Sequence, residues 1–156
     1  TMWEQFGDGL EAAIVLSVVG EGMPLIYNGQ EAGSTKRLAF FEKDPIDWQE
    51  HPIGDLYQDL FALMKKNTAL WHANWGARMI KVPNNNETKV FSFVRQNETD
   101  KVFCVFNFSN QPQIVECKET LYHGTYTDFT TKERIELTAT NKITLEPWGY
   151  KVFVKE

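Results

Sequence analysis

Cysteine is scarce in this sequence, with only Cys104 and Cys117 among 156 residues. Two thiols cannot build a disulfide framework, and neither sits in a CxxC pair or at ligand spacing from a histidine, so both read as plain buried thiols. His51, His72 and His123 are scattered, with no i, i+4 pair and no adjoining carboxylate cluster. Neither a metal site nor a nucleophile–base pair is expected from them. Long hydrophobic runs are missing too: the apolar stretches around Ala12 to Val19 and Met23 to Tyr27 fall well short of the roughly 20 residues of a membrane span. Basic residues are outnumbered, 16 against 21 acidic, for a net charge of −5. With no basic block, nucleic acid and anionic membrane are excluded as partners, and a small neutral or polar partner is expected. Thr1-Met2-Trp3 shows no charged n-region or cleavage site, so neither a natural translation start nor a signal peptide is expected at this end. The compartment is unreadable from it.

What is present is ordered and regular. Asp8 and Glu11 have the spacing of a capping box, and Leu10 to Val19 is apolar almost all round before Gly20 ends the run. This predicts a buried helix that needs neighbours on every face. Met23 to Tyr27 is a short continuous apolar run of the kind a parallel strand covered on both faces requires. From Asn28 to about Pro52 the chain is polar and irregular, about twice as long as ordinary connections reach, and such loops carry function. A second helix follows from Ile53 to Lys66. Its apolar residues stand at i, i+3, i+4 and i+7, with Asp55 near the start and Lys65 and Lys66 near the end.

After Gly76 the pattern changes to short β-rich runs separated by turn clusters. Strands are predicted at 78–82, 90–95, 102–108, 114–117, 125–129, 134–137, 142–145 and 150–154. The chain thus reads as α+β, an α-β-α segment over residues 1–76 and an antiparallel all-β Greek-key sandwich over 77–156. One parallel strand cannot pair its own backbone, so the first segment reads as the tail of a larger α/β domain.

The stretch Gly22-Met-Pro-Leu-Ile-Tyr-Asn-Gly-Gln-Glu31 closely resembles the end of the catalytic barrel in the α-amylase family, glycoside hydrolase family 13. Lys36-Arg37, Asp47-Trp48 and Leu60 to Leu70 resemble the loop and last barrel helix that follow. Val90 to Arg95, Val105 to Ser109 and Leu145 to Trp148 are similar to the family's terminal β-domain. The resemblance implies helix seven, strand eight and helix eight of a (β/α)8 TIM barrel, with the loop after strand eight on the functional face. It further implies a retaining α-glucan hydrolase or transferase whose paired carboxylates stand about 5 Å apart. In the family the nucleophile, the acid/base and a third carboxylate come from strands four, five and seven. No catalytic residue is therefore expected in this chain, which alone is expected to be inactive. No cofactor is expected in it either, structural calcium belonging to an upstream insertion of the parent. The resemblance is compatible with a secreted or periplasmic parent.

Arg37 is the first candidate for sugar contact, its alternative being an ion pair with Glu42 or Asp44. Lys36 and Trp48 are the other substrate-binding candidates. Glu31 is expected to bond within its Gly-x-Glu turn. Trp71 and Trp75 are expected to seal the joint between barrel and β-domain, and Trp148 to close the sandwich. Three Asn-x-Ser/Thr triplets begin at Asn86, Asn97 and Asn107, a pattern frequent by chance. Two alternatives of other classes stand beside the enzyme reading: a carbohydrate-binding β-module, and a catalytically silent scaffold. A lone terminal strand and helix should also expose apolar faces, so self-association is expected.

Overall fold

The computed structural model describes residues 1–156. Three helices come first: α1 (Met2–Phe6), α2 (Leu10–Val19) and α3 (Pro52–Lys66). Eight strands follow: β1 (Met79–Lys81), β2 (Val90–Gln96), β3 (Lys101–Asn107), β4 (Gln113–Val115), β5 (Gly124–Asp128), β6 (Arg134–Leu137), β7 (Ile143–Leu145) and β8 (Tyr150–Lys155). All eight strands predicted after Gly76 and both predicted helices form, within one or two residues at each end. No helix is long and apolar enough to cross a membrane.

Six strands make one antiparallel sheet in the order β1-β2-β3-β8-β5-β6, and β4 and β7 form a separate two-stranded ribbon. Strand alternation divides the sheet's residues between two cores. Phe93, Val102, Cys104, Phe106 and Val152 face the helices, joining Ile14, Val15 and Val18 of α2 and Ile53, Tyr57 and Leu60 of α3. Phe103, Val105, Tyr126 and Phe153 face the other way and meet Val115, Ile143 and Leu145 of the ribbon. The layers are thus helices, sheet and ribbon. The register across the centre stacks Phe103 on Phe153, with ring centroids 5.8 Å apart.

Three expectations change in this setting. The capping box lies not at Asp8 and Glu11 but one helix earlier. Thr1 Oγ1 accepts the Glu4 N–H at 3.3 Å and the Glu4 carboxylate reaches back to Thr1, while the N-cap of α2 is Gly9, which has no side chain to offer. Met23 to Tyr27 forms no strand. No strand of the chain lies beside it to accept its N–H groups, so its backbone stays unladdered. The segment still alternates, with Pro24 and Ile26 half-buried and Met23, Leu25 and Tyr27 exposed. Trp148 does not close the sandwich. Its ring lies over Gly9 at the start of α2, where an added Cβ would stand 3.1 Å from Cε3. Trp148 therefore joins the sheet's last turn to the helical layer.

The joint between helices and sheet is built on Arg95, which the alternation of β2 puts in phase with Phe91 and Phe93 on the helix side. It is 1% exposed and has no carboxylate bonded to it. Its Nε donates to Ala77 O at 2.8 Å, its Nη1 to Gly20 O at 2.6 Å and its Nη2 to Trp71 O at 2.7 Å, with longer bonds to Val19 O and Leu70 O. The Val19 and Gly20 carbonyls close α2, where a cation meets the negative end of the helix dipole. Burial lowers the Arg95 pKa from its ordinary value. A guanidinium so far above neutrality remains charged.

Candidate functional site

The polar loop between α2 and α3 starts with two glycine turns. Gly29 and Gly33 hold φ of 94° and 68°, in the left-handed region that side chains disfavour. The Gly29 N–H donates to Glu31 Oε2 at 3.0 Å and the Tyr27 N–H to Gln30 Oε1 at 2.9 Å. Glu31 is thus a turn-forming carboxylate, as expected from the sequence. An added Cβ on Gly33 would lie 2.5 Å from His51 Cδ2, so the imidazole covers that glycine. His51 also caps α3, its Nδ1 accepting the Ile53 N–H at 3.2 Å. One histidine with no catalytic company therefore ties the loop's first turn to the helix at the loop's end.

The second half of the loop is closed by Asp44. Its carboxylate accepts from Lys36 Nζ and, at 2.8 Å, from the Ala39 N–H. These bonds, the lysine's foremost, hold its pKa below the ordinary carboxylate value. The closure pushes Phe40 and Phe41 outward, 90% and 93% exposed, with rings edge-on 4.7 Å apart.

Lys36 and Arg37 line one cleft of about 160 Å³ with Tyr27, Asn28 and Gln30. Trp48 is exposed but is not among its walls. The structure therefore brings together two of the three candidates for substrate contact and leaves the third apart. Arg37 pairs with neither Glu42 nor Asp44. Its Nε donates to Glu4 Oε2 at 3.0 Å, and Lys36 takes Asp44 instead. The bond to Glu4 raises the Arg37 pKa. No local pattern in the sequence signals a partner 33 positions away.

Chemically the cleft offers amide, ammonium and guanidinium donors beside one exposed phenol ring, a set suited to sugar hydroxyls. No aspartate or glutamate lines it. The volume is below the roughly 300–1,000 Å³ of complete ligand pockets. No group of three His, Cys, Asp or Glu side chains is placed to hold a metal ion. Asn86, Asn97 and Asn107 each donate their side-chain amide inside the fold, to Gln113, Thr68, and the Gln111 and Glu146 carbonyls respectively. Asn107 is wholly buried, which closes that triplet to glycosylation.

The family described as "Maltogenic Amylase, C-terminal domain" matches residues 80–152, from β1 into β8. Residues 80–152 thus match a C-terminal domain of the α-amylase family, glycoside hydrolase family 13. Among curated relatives, the 1,4-α-glucan branching enzyme of Bacillus cereus (strain AH820) is 32% identical over 99 residues, 56% of this chain and 15% of that enzyme. Two solved structures share the fold. A maltogenic α-amylase from Thermotoga neapolitana superposes with a TM-score of 0.79 over 96% of this chain and 36% of its own, at 19% identity. An Anoxybacillus α-amylase gives 0.70 over 92% and 31%, at 15% identity. The chain spans less than a sixth of the branching enzyme and about a third of these amylases. The matched region is the β part of the chain. Lys36, Arg37 and Trp48 lie outside it.

Trp71 and Trp75 are also placed differently from their expected role. Neither is sealed into the joint: Trp71 is 39% and Trp75 78% exposed. The joint is made by Arg95, Trp148 and Tyr150, whose hydroxyl donates to Glu11 Oε1 at 2.6 Å. Sequence reasoning missed Arg95. The available signal was a charged residue in the inward phase of an otherwise apolar strand.

Proposed function

We propose that this chain is the C-terminal portion of a retaining α-glucan-active glycoside hydrolase of the amylase type. Residues 1–76 would supply the last helix, strand and helix of its (β/α)8 barrel, and residues 77–156 its closing β-domain. The observation that carries this reading is the Met23–Tyr27 segment. It has a strand's alternation and no strand partner, and three large side chains of its outer row, Met23, Leu25 and Tyr27, stand in solvent. Such an edge is a template for pairing, and barrels abolish edges by closing. The fold likeness that runs through the helical residues of this chain supports the same placement.

On this reading the loop from Asn28 to Pro52 borders the active site at the C-terminal end of the barrel. The small cleft at Tyr27, Lys36 and Arg37 is part of a larger pocket, and its donors hold sugar hydroxyls on the donor side of the scissile bond. Retaining hydrolysis needs two carboxyls about 5 Å apart across that bond. The cleft has none, so the carboxylates belong to the rest of the parent and the isolated chain is inactive. The test is reducing-sugar release from soluble starch by the parent protein and by residues 1–156 alone. The parent is expected to be active and the chain inert; turnover by the chain alone would sink this division of labour.

A further inference from the structure

Among the asparagines of this chain only Asn28 is followed by a glycine. Such a pair is open to attack by the glycine's backbone nitrogen on the asparagine's side-chain carbonyl carbon, because glycine has no Cβ to obstruct the approach. Asn28 is exposed, and its carboxamide makes no hydrogen bond within the fold, whereas Asn67, Asn84, Asn86, Asn97, Asn107 and Asn141 all bond through theirs. The attacking nitrogen is in the opposite position. Gly29 is buried, with Ile46 Cγ2 3.1 Å from where a Cβ would stand, and its N–H donates to Glu31 Oε2 at 3.0 Å. The turn is closed on the other side by the Gln30 N–H, which donates to Tyr27 O at 2.9 Å. Asn28, Gly29 and Glu31 fall within four consecutive residues, so their relation is set by the turn itself.

We propose that Asn28 is a deamidation site and that Glu31 sets its rate. The reaction consumes water and releases ammonia, with no change of oxidation state. Hydroxide takes the Gly29 amide proton, and the nitrogen forms a bond to Asn28 Cγ. The bond from Cγ to Nδ2 breaks, and Nδ2 leaves as ammonia with a proton returned from solvent. The cyclic imide left behind adds water at one of its two carbonyls, giving aspartate or isoaspartate at position 28. Glu31 acts on the first step. Its carboxylate holds the proton that must leave, so deprotonation breaks a charge-assisted hydrogen bond and sets two anions against each other across 3.0 Å. Glu31 is thus a guard on the bond between Asn28 and Gly29. The chemistry is the same whatever the cleft binds. Its product puts a carboxylate beside Lys36 and Arg37, in a cleft lined by no other.

The test incubates the whole 156-residue chain in mildly alkaline buffer and follows position 28 by peptide mass mapping, with isoaspartyl methyltransferase labelling to separate isoaspartate from aspartate. Wild-type chain should be modified at Asn28 more slowly when folded than when unfolded in urea, where the bond to Glu31 is absent. In the folded state Glu31→Ala should speed the modification by about tenfold to a hundredfold, the factor carried by a hydrogen bond to a charged group. Glu31→Gln keeps a neutral acceptor of the same shape and should fall between the two. Asn28→Ser should abolish the product. Melting temperatures recorded beside the rates separate loss of this bond from loss of the fold, and Glu31→Gln is expected to melt with the wild type. Folded and unfolded wild-type chains reacting at one rate would overturn the proposal. So would folded Glu31→Ala and Glu31→Gln chains that react no faster than the wild type.

Discussion

Arg95 Nη1 donates to Gly20 O at 2.6 Å, so a strand of the sheet is bonded to the residue that caps α2, 75 positions earlier. Five carbonyls in all, from Val19, Gly20, Leu70, Trp71 and Ala77, converge on this one guanidinium. No other side chain has the rigid fork to reach them together. Arg95→Leu removes the donors and leaves buried carbonyls unmet, and a loss of about 2–4 kcal/mol is expected in urea unfolding. Arg95→Lys keeps the charge but not the fork and should fall between. Full stability in Arg95→Leu would show that the carbonyls find water instead.

Gly76 lies against the same clamp. A Cβ there would sit 1.6 Å from Trp71 O and 2.9 Å from Arg95 Nη2, so any side chain must push the connector away from the guanidinium. Gly76→Ala should cost about 2–3 kcal/mol. In a double-mutant cycle with Arg95→Leu the two losses should be less than additive, because both act on the Trp71 carbonyl. Strict additivity would separate them.

The sheet has an acid-sensitive pair in Asp128 and Lys151, whose Nζ and Oδ2 are 2.7 Å apart, with Asp128 buried. Burial pushes the Asp128 carboxyl up, but the ammonium and the Thr131 and Thr130 N–H groups outweigh it and bring the pKa below 3.8. A depressed folded pKa contributes stability above the unfolded value that is lost as pH falls through the folded one. Urea midpoints should therefore drop below about pH 4, and less steeply in Asp128→Asn. At the alkaline end burial raises Tyr126 and Tyr150, the latter helped by its bond to Glu11. The unfolded phenols ionise first, so stability should fall as pH rises past about 10. Tyr150→Phe should blunt that fall.

Met23, Leu25 and Tyr27 form an exposed apolar row beside an unpaired backbone. Sedimentation velocity of the isolated chain should show concentration-dependent association, reduced by Leu25→Lys. A wild-type chain that stays monomeric at every concentration would mean the edge is satisfied in another way.

Arg37 is 77% exposed and its partner Glu4 54%, so their ion pair adds little to the fold. Arg37→Ala should leave the melting temperature of the chain unchanged. On the proposed reading of the parent as an α-glucan hydrolase, the same change there should raise KM for maltooligosaccharides. An unaltered KM would remove Arg37 from the sugar site.

These outcomes divide along what the sequence made legible. The strands were readable because each is a short β-rich run bounded by its own turn residues, as in Val90–Gln96 and Lys101–Asn107. The α3 helix was readable from its apolar stripe, its early Asp55 and its terminal lysines. Glu31 was readable as a turn residue because its bond to Gly29 spans two positions. The site was less legible. Lys36 and Arg37 are neighbours in one cleft, but Arg37 is held by Glu4 on a separate helix, and Trp48 is apart from both.

By itself, then, the amino-acid order determined the β-rich second half, the two long helices and the family to which the β-domain belongs. Each follows from side chains within a few residues of one another. Tertiary structure alone decided that Met23 to Tyr27 has no strand beside it, that Trp148 rather than Trp71 or Trp75 packs at the joint, and that Arg95 is the clamp. Those depend on which carbonyls, rings and backbone edges meet after the chain has folded back over 75 or more positions. Hydrophobic periodicity does not encode distant partners.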